Sequence, residues 1–131
     1  MNYAPKGKPN PVVENGEFQF AAVGLDHGHI YGMSNGLIEA GAEVVWVYDP
    51  DPRKVEKFVE TFPEVKVASS EEKILSDESV HLITSASIPG NRCSLGLRVM
   101  AAGKDYFVDK PPLTTIVQLE QAKKKVKETG Q

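Results

Sequence analysis

Cysteine is almost absent from this sequence, and so are long apolar runs. The single cysteine, Cys93, cannot form a disulfide within the chain, and such usage is typical of a reducing compartment. No stretch approaches the about 18 apolar residues of a membrane-spanning helix, and the start of the chain has no apolar core of signal-peptide length. We therefore expect a soluble, cytoplasmic protein without a membrane partner.

Net charge is small as well. The chain has 15 Lys and Arg against 18 Asp and Glu, a net charge of -3, which argues against nucleic acid as the main partner. The net charge does not exclude a small anionic ligand, because the dipoles of a helix N-terminus can bind phosphate on an acidic protein. With 131 residues, of which 40% are hydrophobic, the chain is long enough for one domain with a buried core.

Proline is concentrated in the first part of the chain. Residues 1–16 are predicted to form an extended N-terminal arm, because Pro5, Pro9 and Pro11 cannot donate backbone hydrogen bonds. From residue 17 to residue 131, short apolar runs alternate with amphipathic stretches. This order predicts an α/β fold, in which a doubly wound parallel sheet is covered by helices on both faces: the three αβα layers of a Rossmann fold.

Apolar periodicity places the individual elements. Strands are predicted over residues 18–23, 44–48, 65–68, 80–84 and 106–108. Helices are predicted over 28–40, from Asp51-Pro52, over 70–76, from Pro89 to Gly103 and from Thr115. Three helices show an apolar stripe that we expect to face inward: Val55, Phe58, Val59 and Phe62; Cys93, Leu97 and Met100; Ile116, Leu119, Ala122 and Val126.

The turn after the first strand carries the leading functional signal. A helix N-terminus offers N–H groups and partial positive charge to a pyrophosphate, and glycines let the backbone approach it. Here Asp26 stands in place of the second glycine of Gly-x-Gly-x-x-Gly, and Gly28 comes one position before the third. The alternative is a plain strand–helix turn. The residues predicted to bind the cofactor are Gly24, Leu25, Asp26, His27, Gly28 and His29.

Asp49 follows the second strand, 25 residues after Gly24. An acidic residue at about this distance can accept hydrogen bonds from the ribose hydroxyls of a dinucleotide. It also repels a 2′-phosphate, so NAD is favoured over NADP. Arg53 is near enough to weaken that preference. The alternatives are a turn residue for Asp49 and a helix-surface residue for Arg53.

Two histidines of the turn require a choice between metal ligation and hydrogen bonding. His27 and His29 follow Asp26, and imidazole and carboxylate are ordinary metal ligands. Alternating positions in a tight turn rarely converge on one ion, so we predict no metal. The two histidines are instead expected to form hydrogen bonds near the phosphates or the nicotinamide, and His27 could also partly offset the charge of Asp26. His81 and Cys93 are expected to be structural.

A lysine follows the fifth strand, in Asp109-Lys110-Pro111. The carboxyl end of a parallel strand faces the ligand crevice. Lys110 could there orient a substrate hydroxyl or stabilise charge during proton transfer.

Taken together, these residues resemble the Gfo/Idh/MocA family of oxidoreductases. The resemblance covers about residues 18–130 and is carried by Ala22-Val23-Gly24-Leu25, by Tyr48-Asp49-Pro50-Asp51-Pro52, and most specifically by residues 101–113. It implies an NAD(P)-dependent oxidoreductase acting on a sugar or polyol, with Lys110 in contact with substrate and cofactor and Asp109 where the family usually has Glu. It also adds Ser85, Pro89 and Asp109 to the predicted cofactor contacts, while Arg92 or Cys93 falls near the place of a missing family histidine.

Members of that family continue into a second α/β domain, which holds much of the substrate pocket and a catalytic Asp-x-x-x-His pair. We therefore expect this chain to be a fragment or a natural truncation that does not turn over substrate alone. A non-catalytic nucleotide-binding or regulatory module is an alternative, and NAD-dependent glycoside hydrolysis is another. An open sheet edge at the fifth strand would favour pairing between copies, and thus a homo-oligomer, or aggregation.

Overall fold

Strands form where β-branched and aromatic residues are concentrated, and amphipathic helices separate them. The structure, a computed structural model, describes residue 7 and residues 10–131. The strands are β1 Gln19–Val23, β2 Glu43–Tyr48, β3 Lys66–Val67, β4 Leu82–Ser85 and β5 Asp105–Val108. The helices are α1 His29–Glu39, α2 Pro52–Thr61, α3 Glu71–Leu75, α4 Pro89–Ala101 and α5 Ile116–Thr129. The predicted order is confirmed, with limits shifted by one or two residues.

The sheet is parallel throughout and runs in the order β3-β2-β1-β4-β5. Because β1 pairs with β2 on one side and with β4 on the other, the strand order reverses there. In open parallel sheets such a switch point opens a crevice at the carboxyl ends of the strands, where ligands bind. The turn that follows β1 lies at this crevice.

Each face of the sheet has its own apolar core, which confirms the three-layer arrangement. Alternation along β1 sends Ala21 and Val23 to one face and Ala22 to the other. The first core also contains Ala68, Ile74, Val80, Ile83, Leu95 and Val99. The second also contains Leu25, Ile30, Val47, Val55, Phe58, Val65 and Ala86. Helices α3 and α4 thus cover one face, and α1 and α2 cover the other.

The predicted inner stripe of α4 does not face the sheet. The α4 residues in the core beneath the sheet are Leu95 and Val99. The predicted residues Cys93, Leu97 and Met100 line a groove toward α5 instead. Helix α4 has neighbours on two sides, and periodicity identifies an apolar stripe without identifying the neighbour that it contacts.

The inner stripe predicted for α5 is wrong at both ends. Ile116 is 75% exposed and Val126 is 47% exposed. Helix α5 packs chiefly against α4 and has no fully buried residue. The ends of its apolar stripe are therefore left largely exposed. Its predicted capping box is confirmed, since the Thr115 hydroxyl accepts a hydrogen bond from the Gln118 N–H and the Gln118 side chain accepts one in return.

Part of the predicted N-terminal arm lies outside the described residues, including Pro5 and Pro9. Further along, the Val12 N–H donates to the Ala40 carbonyl at 2.8 Å. This contact fastens the described end of the arm to the C-terminus of α1. Among the described helices, none combines the length and the apolar character needed to cross a membrane.

Candidate functional site

Gly24 joins the carboxyl ends of three strands. Its N–H donates to the Tyr48 carbonyl at 3.1 Å, and its own carbonyl accepts from the Ala86 N–H at 3.0 Å. Its φ of +76° is one that only glycine adopts readily. A Cβ here would lie 2.8 Å from the Ser87 Cβ and 3.1 Å from the Ser85 Oγ. Glycine is therefore required at this position for two reasons: the backbone conformation, and the lack of room for a Cβ atom.

Asp49 is buried beneath the same turn. Its Oδ2 accepts a hydrogen bond from the Leu25 N–H at 2.7 Å, and its Oδ1 accepts one from the Asp51 N–H at 2.9 Å. Lys54 Nζ lies 3.8 Å from Oδ1. One carboxylate thus holds both the turn after β1 and the start of α2, and each oxygen retains the capacity to accept a second hydrogen bond.

The Asp26 carboxylate spans the crevice. Its Oδ1 lies 2.5 Å from Lys54 Nζ, and its Oδ2 accepts from the Ile88 N–H at 3.0 Å. The hydrogen bond to Asp26 is the main reason that the pKa of Lys54 is raised. A partial offset of this charge was expected from His27, but the partner in the structure is Lys54, which α2 brings across the crevice.

Several amides of the predicted phosphate-binding turn already have partners inside the protein. The His27 N–H donates to the Ala86 carbonyl at 2.9 Å, and the His29 N–H donates to the His27 ring at 3.2 Å. The Leu25 N–H is held by Asp49. The shape of the turn is therefore fixed by its own hydrogen bonds.

His27 and His29 lie beside Asp109, which follows the carboxyl end of β5. His29 Nδ1 is 3.0 Å from Asp109 Oδ1, and His27 Nδ1 is 3.7 Å from Asp109 Oδ2. Both imidazoles are about half exposed, whereas Asp109 is 9% exposed. The hydrogen bond from His29 is the main cause of the lowered pKa of Asp109.

Arg92 is a buried residue that fixes this cluster, a role that was not predicted from the sequence. Only 3% exposed, it donates from Nε to the Ser87 carbonyl at 2.7 Å. From Nη1 it donates to the carbonyls of Asp109 and Pro111, at 3.1 and 3.2 Å, and Nη2 lies 3.4 Å from Asp109 Oδ2. The available signal was a lone arginine next to Cys93 in the first turns of an otherwise apolar helix.

The other predicted site residues lie around the crevice in different settings. Ser85 is completely buried, and Pro89 is the exposed first residue of α4. Arg53 is exposed and forms an ion pair with Asp51, with 2.8 Å between Nη2 and Oδ2. Lys110 is exposed, and its N–H donates to Asp109 Oδ1 at 2.9 Å.

The crevice encloses a cavity of about 510 Å³, a volume in the usual range for small-molecule sites. Its walls come from the turn after β1, from the end of β2, and from α2 and α4. Its charged lining residues are four carboxylates and two cations: Asp26, Asp49, Asp51, Lys54, Glu71 and Arg98.

Comparison with known proteins agrees with this geometry. The chain is 29% identical over 107 residues to an inositol 2-dehydrogenase of Acidothermus cellulolyticus. The aligned region covers 77% of this chain and 30% of that protein. Among solved structures, a protein from Erwinia carotovora atroseptica named as an oxidoreductase is 47% identical, with a TM-score of 0.85 over 88% of this chain and 34% of the other.

A myo-inositol dehydrogenase from Lactobacillus casei, solved with NAD(H) and myo-inositol, shares the fold with a TM-score of 0.76 at 24% identity. The match covers 85% of this chain and 33% of the Lactobacillus casei chain. The present chain thus spans about a third of the length of these relatives.

A match to a whole family agrees with these single comparisons. The model of the oxidoreductase family with an NAD-binding Rossmann fold, Gfo/Idh/MocA, matches residues 18–131. This range contains β1, the Gly24 turn, the sheet and all the residues that line the crevice. The chain therefore belongs to the Gfo/Idh/MocA oxidoreductases, as their NAD-binding Rossmann domain.

Proposed function

We propose that this chain binds NAD(H) in the crevice at the carboxyl ends of β1, β2 and β4, as the nucleotide-binding part of an oxidoreductase for a sugar or polyol hydroxyl. The observation that carries the proposal is the Gly24 turn, held from below by the buried Asp49. The inositol dehydrogenases among the relatives support the substrate class. Lys110, beside the mouth of the crevice, is the proposed contact to substrate and nicotinamide.

The local charge supports NAD rather than NADP. A ribose that reaches Asp49 lies close to Asp51, so a 2′-phosphate would meet two carboxylates. The cations on this side, Arg53 and Lys54, are already paired with Asp51 and Asp26. A phosphate would have to compete for them.

A calorimetric titration of the chain tests the proposal. We expect NAD to bind at least about tenfold more tightly than NADP, a difference of about 1.4 kcal/mol. Asp49→Asn should narrow this ratio, since it removes charge at the ribose while keeping the side-chain shape. Asp105→Asn at the opposite end of the sheet is the matched control and should leave the ratio unchanged. If neither nucleotide binds at millimolar concentration, the proposal fails.

One observation favours the second candidate, a nucleotide-binding module without turnover. Asp26 places a negative charge where the pyrophosphate would cross the strand ends, and the charge is held by Lys54 and the Ile88 N–H. A cofactor phosphate would have to displace this carboxylate to reach the same donors. A protein of this kind would bind its nucleotide weakly.

Asp26→Asn should raise NAD affinity about tenfold, because it removes the competing charge while keeping side-chain size, a change of about 1.4 kcal/mol. The measurement is the same titration, with the unfolding midpoint recorded to show that the turn is intact. Glu120→Gln is the matched control: it also removes a carboxylate charge that is paired with a cation, Lys123, but on α5 and away from the crevice. A fall in affinity for Asp26→Asn would show that the carboxylate helps to hold the cofactor.

A further inference from the structure

We propose that His27, His29 and Asp109 form a binding site for a divalent transition metal, with zinc the best-matched ion. Each residue offers one ligand atom, and these atoms all lie within 4.8 Å of one another. In tetrahedral zinc sites the metal–ligand bonds of about 2.0–2.2 Å keep ligand atoms about 3.3 Å apart. His29 Nδ1 is 3.0 Å from Asp109 Oδ1, and His27 Nδ1 is 3.7 Å from the other oxygen, Oδ2, so both nitrogens face the carboxylate at distances close to that value.

The three donors are held by the fold. The Asp109 N–H donates to the Ser85 carbonyl at 2.9 Å, and Arg92 holds the Asp109 carbonyl. The His27 N–H is fixed to the Ala86 carbonyl, and His29 is the first residue of α1. A metal would therefore find its ligands nearly in place, and little conformational entropy would be lost on binding.

The exposure of the ligands suits an exchangeable ion with open coordination positions. The two imidazoles are about half exposed while the carboxylate is buried, so an ion approaching from solvent meets nitrogen first. His27 Nδ1 accepts a hydrogen bond from the His29 N–H, so this nitrogen is unprotonated, and a metal bound there would replace the amide at its lone pair. Imidazole and carboxylate together suit zinc and cobalt, and hard cations prefer oxygen alone.

Two features work against a cation here, and they set the expected strength of binding. The guanidinium of Arg92 is 3.4 Å from Asp109 Oδ2, and the site lies at the positive end of the α1 dipole. We expect micromolar binding, weaker than that of closed four-ligand sites.

We predicted no metal because alternating positions in a tight turn rarely converge on one ion, and the carboxylate considered with the histidines was Asp26. The fold turns Asp26 toward Lys54 and brings Asp109 to the histidines from 80 residues away. If the proposed oxidoreductase function is also correct, an ion next to Lys110 could polarise the oxygen of the substrate. Metal binding itself does not depend on that function.

The test is a calorimetric titration of the tag-free chain with zinc chloride, without nucleotide, and with cobalt chloride followed by visible absorption. We expect one ion per chain. His27→Ala, His29→Ala and Asp109→Asn should each weaken binding at least tenfold. His81→Gln is the matched control and should bind like the wild type, since His81 contacts Phe18 and Gln19 instead. The unfolding midpoint of each variant shows whether it is folded, and the two exposed histidines are the safer substitutions.

Three results would overturn the site: no saturable binding at millimolar zinc, binding that survives Asp109→Asn, or loss of binding in His81→Gln. If zinc still binds to Asp109→Asn, the ion is held by the two exposed histidines alone. A parallel NAD titration in the presence of a chelator separates this proposal from the preceding one. NAD binding without zinc binding overturns only the metal site, and zinc binding without NAD binding overturns only the nucleotide site.

Discussion

Arg92→Met should lower the free energy of unfolding by about 3–5 kcal/mol, the usual loss when one partner of a buried ion pair is removed. Methionine replaces the volume of the arginine stem but donates no hydrogen bond. The carbonyls of Ser87, Asp109 and Pro111 would lose their donor, and the buried Asp109 carboxylate would lose a nearby cation. Each buried acceptor left without a partner costs about 1–3 kcal/mol, so the damage comes from several groups together.

The measurement is urea unfolding followed by circular dichroism. Arg98→Met is the matched control, because Arg98 lies on the same helix and also forms a carboxylate pair, with Nε 2.6 Å from Glu71 Oε1. That pair is about half exposed at the arginine, and exposed pairs contribute at most about 1 kcal/mol. Equal losses of unfolding free energy for the two variants would contradict this prediction. They would show that the buried hydrogen bonds of Arg92 contribute no more to stability than an exposed ion pair does.

What the sequence predicted well depends on neighbouring residues. The alternation of apolar runs, Asp51 as the cap of α2, and the Thr115 capping box all follow from spacings of a few residues, and each is confirmed. The glycine turn after β1 is of the same kind, since a strand end, a glycine and a helix start are consecutive. The fold class could be obtained in this way because parallel α/β sheets are built from such local units.

The contacts that sequence reasoning missed join distant parts of the chain. Asp26 and Ile88 are 62 residues apart, and His29 and Asp109 are 80 apart. Strand order decides these encounters: β4 lies between β1 and β5, so the loop after β4 faces the turn after β1. Nothing in the spacing of charges along the chain shows which carboxylate a cation will meet across the strand ends.

The geometry also changes the interpretation of individual carboxylates. Asp49, Asp26 and Asp109 were grouped as predicted cofactor contacts, yet they occupy different environments. Asp49 holds backbone amides, Asp26 bridges the crevice to Lys54, and Asp109 joins two histidines to Arg92. Their substitution should therefore give distinct results, in cofactor selectivity, cofactor affinity and metal binding respectively.

Gly24→Ala should destabilise the domain by about 2–5 kcal/mol and weaken NAD binding more than tenfold. Forcing a side chain into the left-handed region costs about 1–2 kcal/mol, and inserting a methyl group into a packed site costs about 1–3 kcal/mol. The new Cβ would lie 2.8 Å from the Ser87 Cβ. Ser85 and Ser87 are 0% and 5% exposed, so neither can move aside without disturbing the end of β4. The turn must then shift relative to Asp49, and the cofactor site shifts with it.

Gly28→Ala is the matched control for this change, and it separates stability from binding. Gly28 has a φ of -60°, and a Cβ there would meet no atom within 4 Å. Its stability should therefore stay within about 1 kcal/mol of the wild type. If a pyrophosphate approaches the start of α1, the added methyl group should still weaken NAD binding. Urea unfolding and calorimetric titration of both variants provide the measurements. Wild-type stability of Gly24→Ala would contradict the steric argument, and unchanged NAD affinity of Gly28→Ala would place the pyrophosphate away from α1.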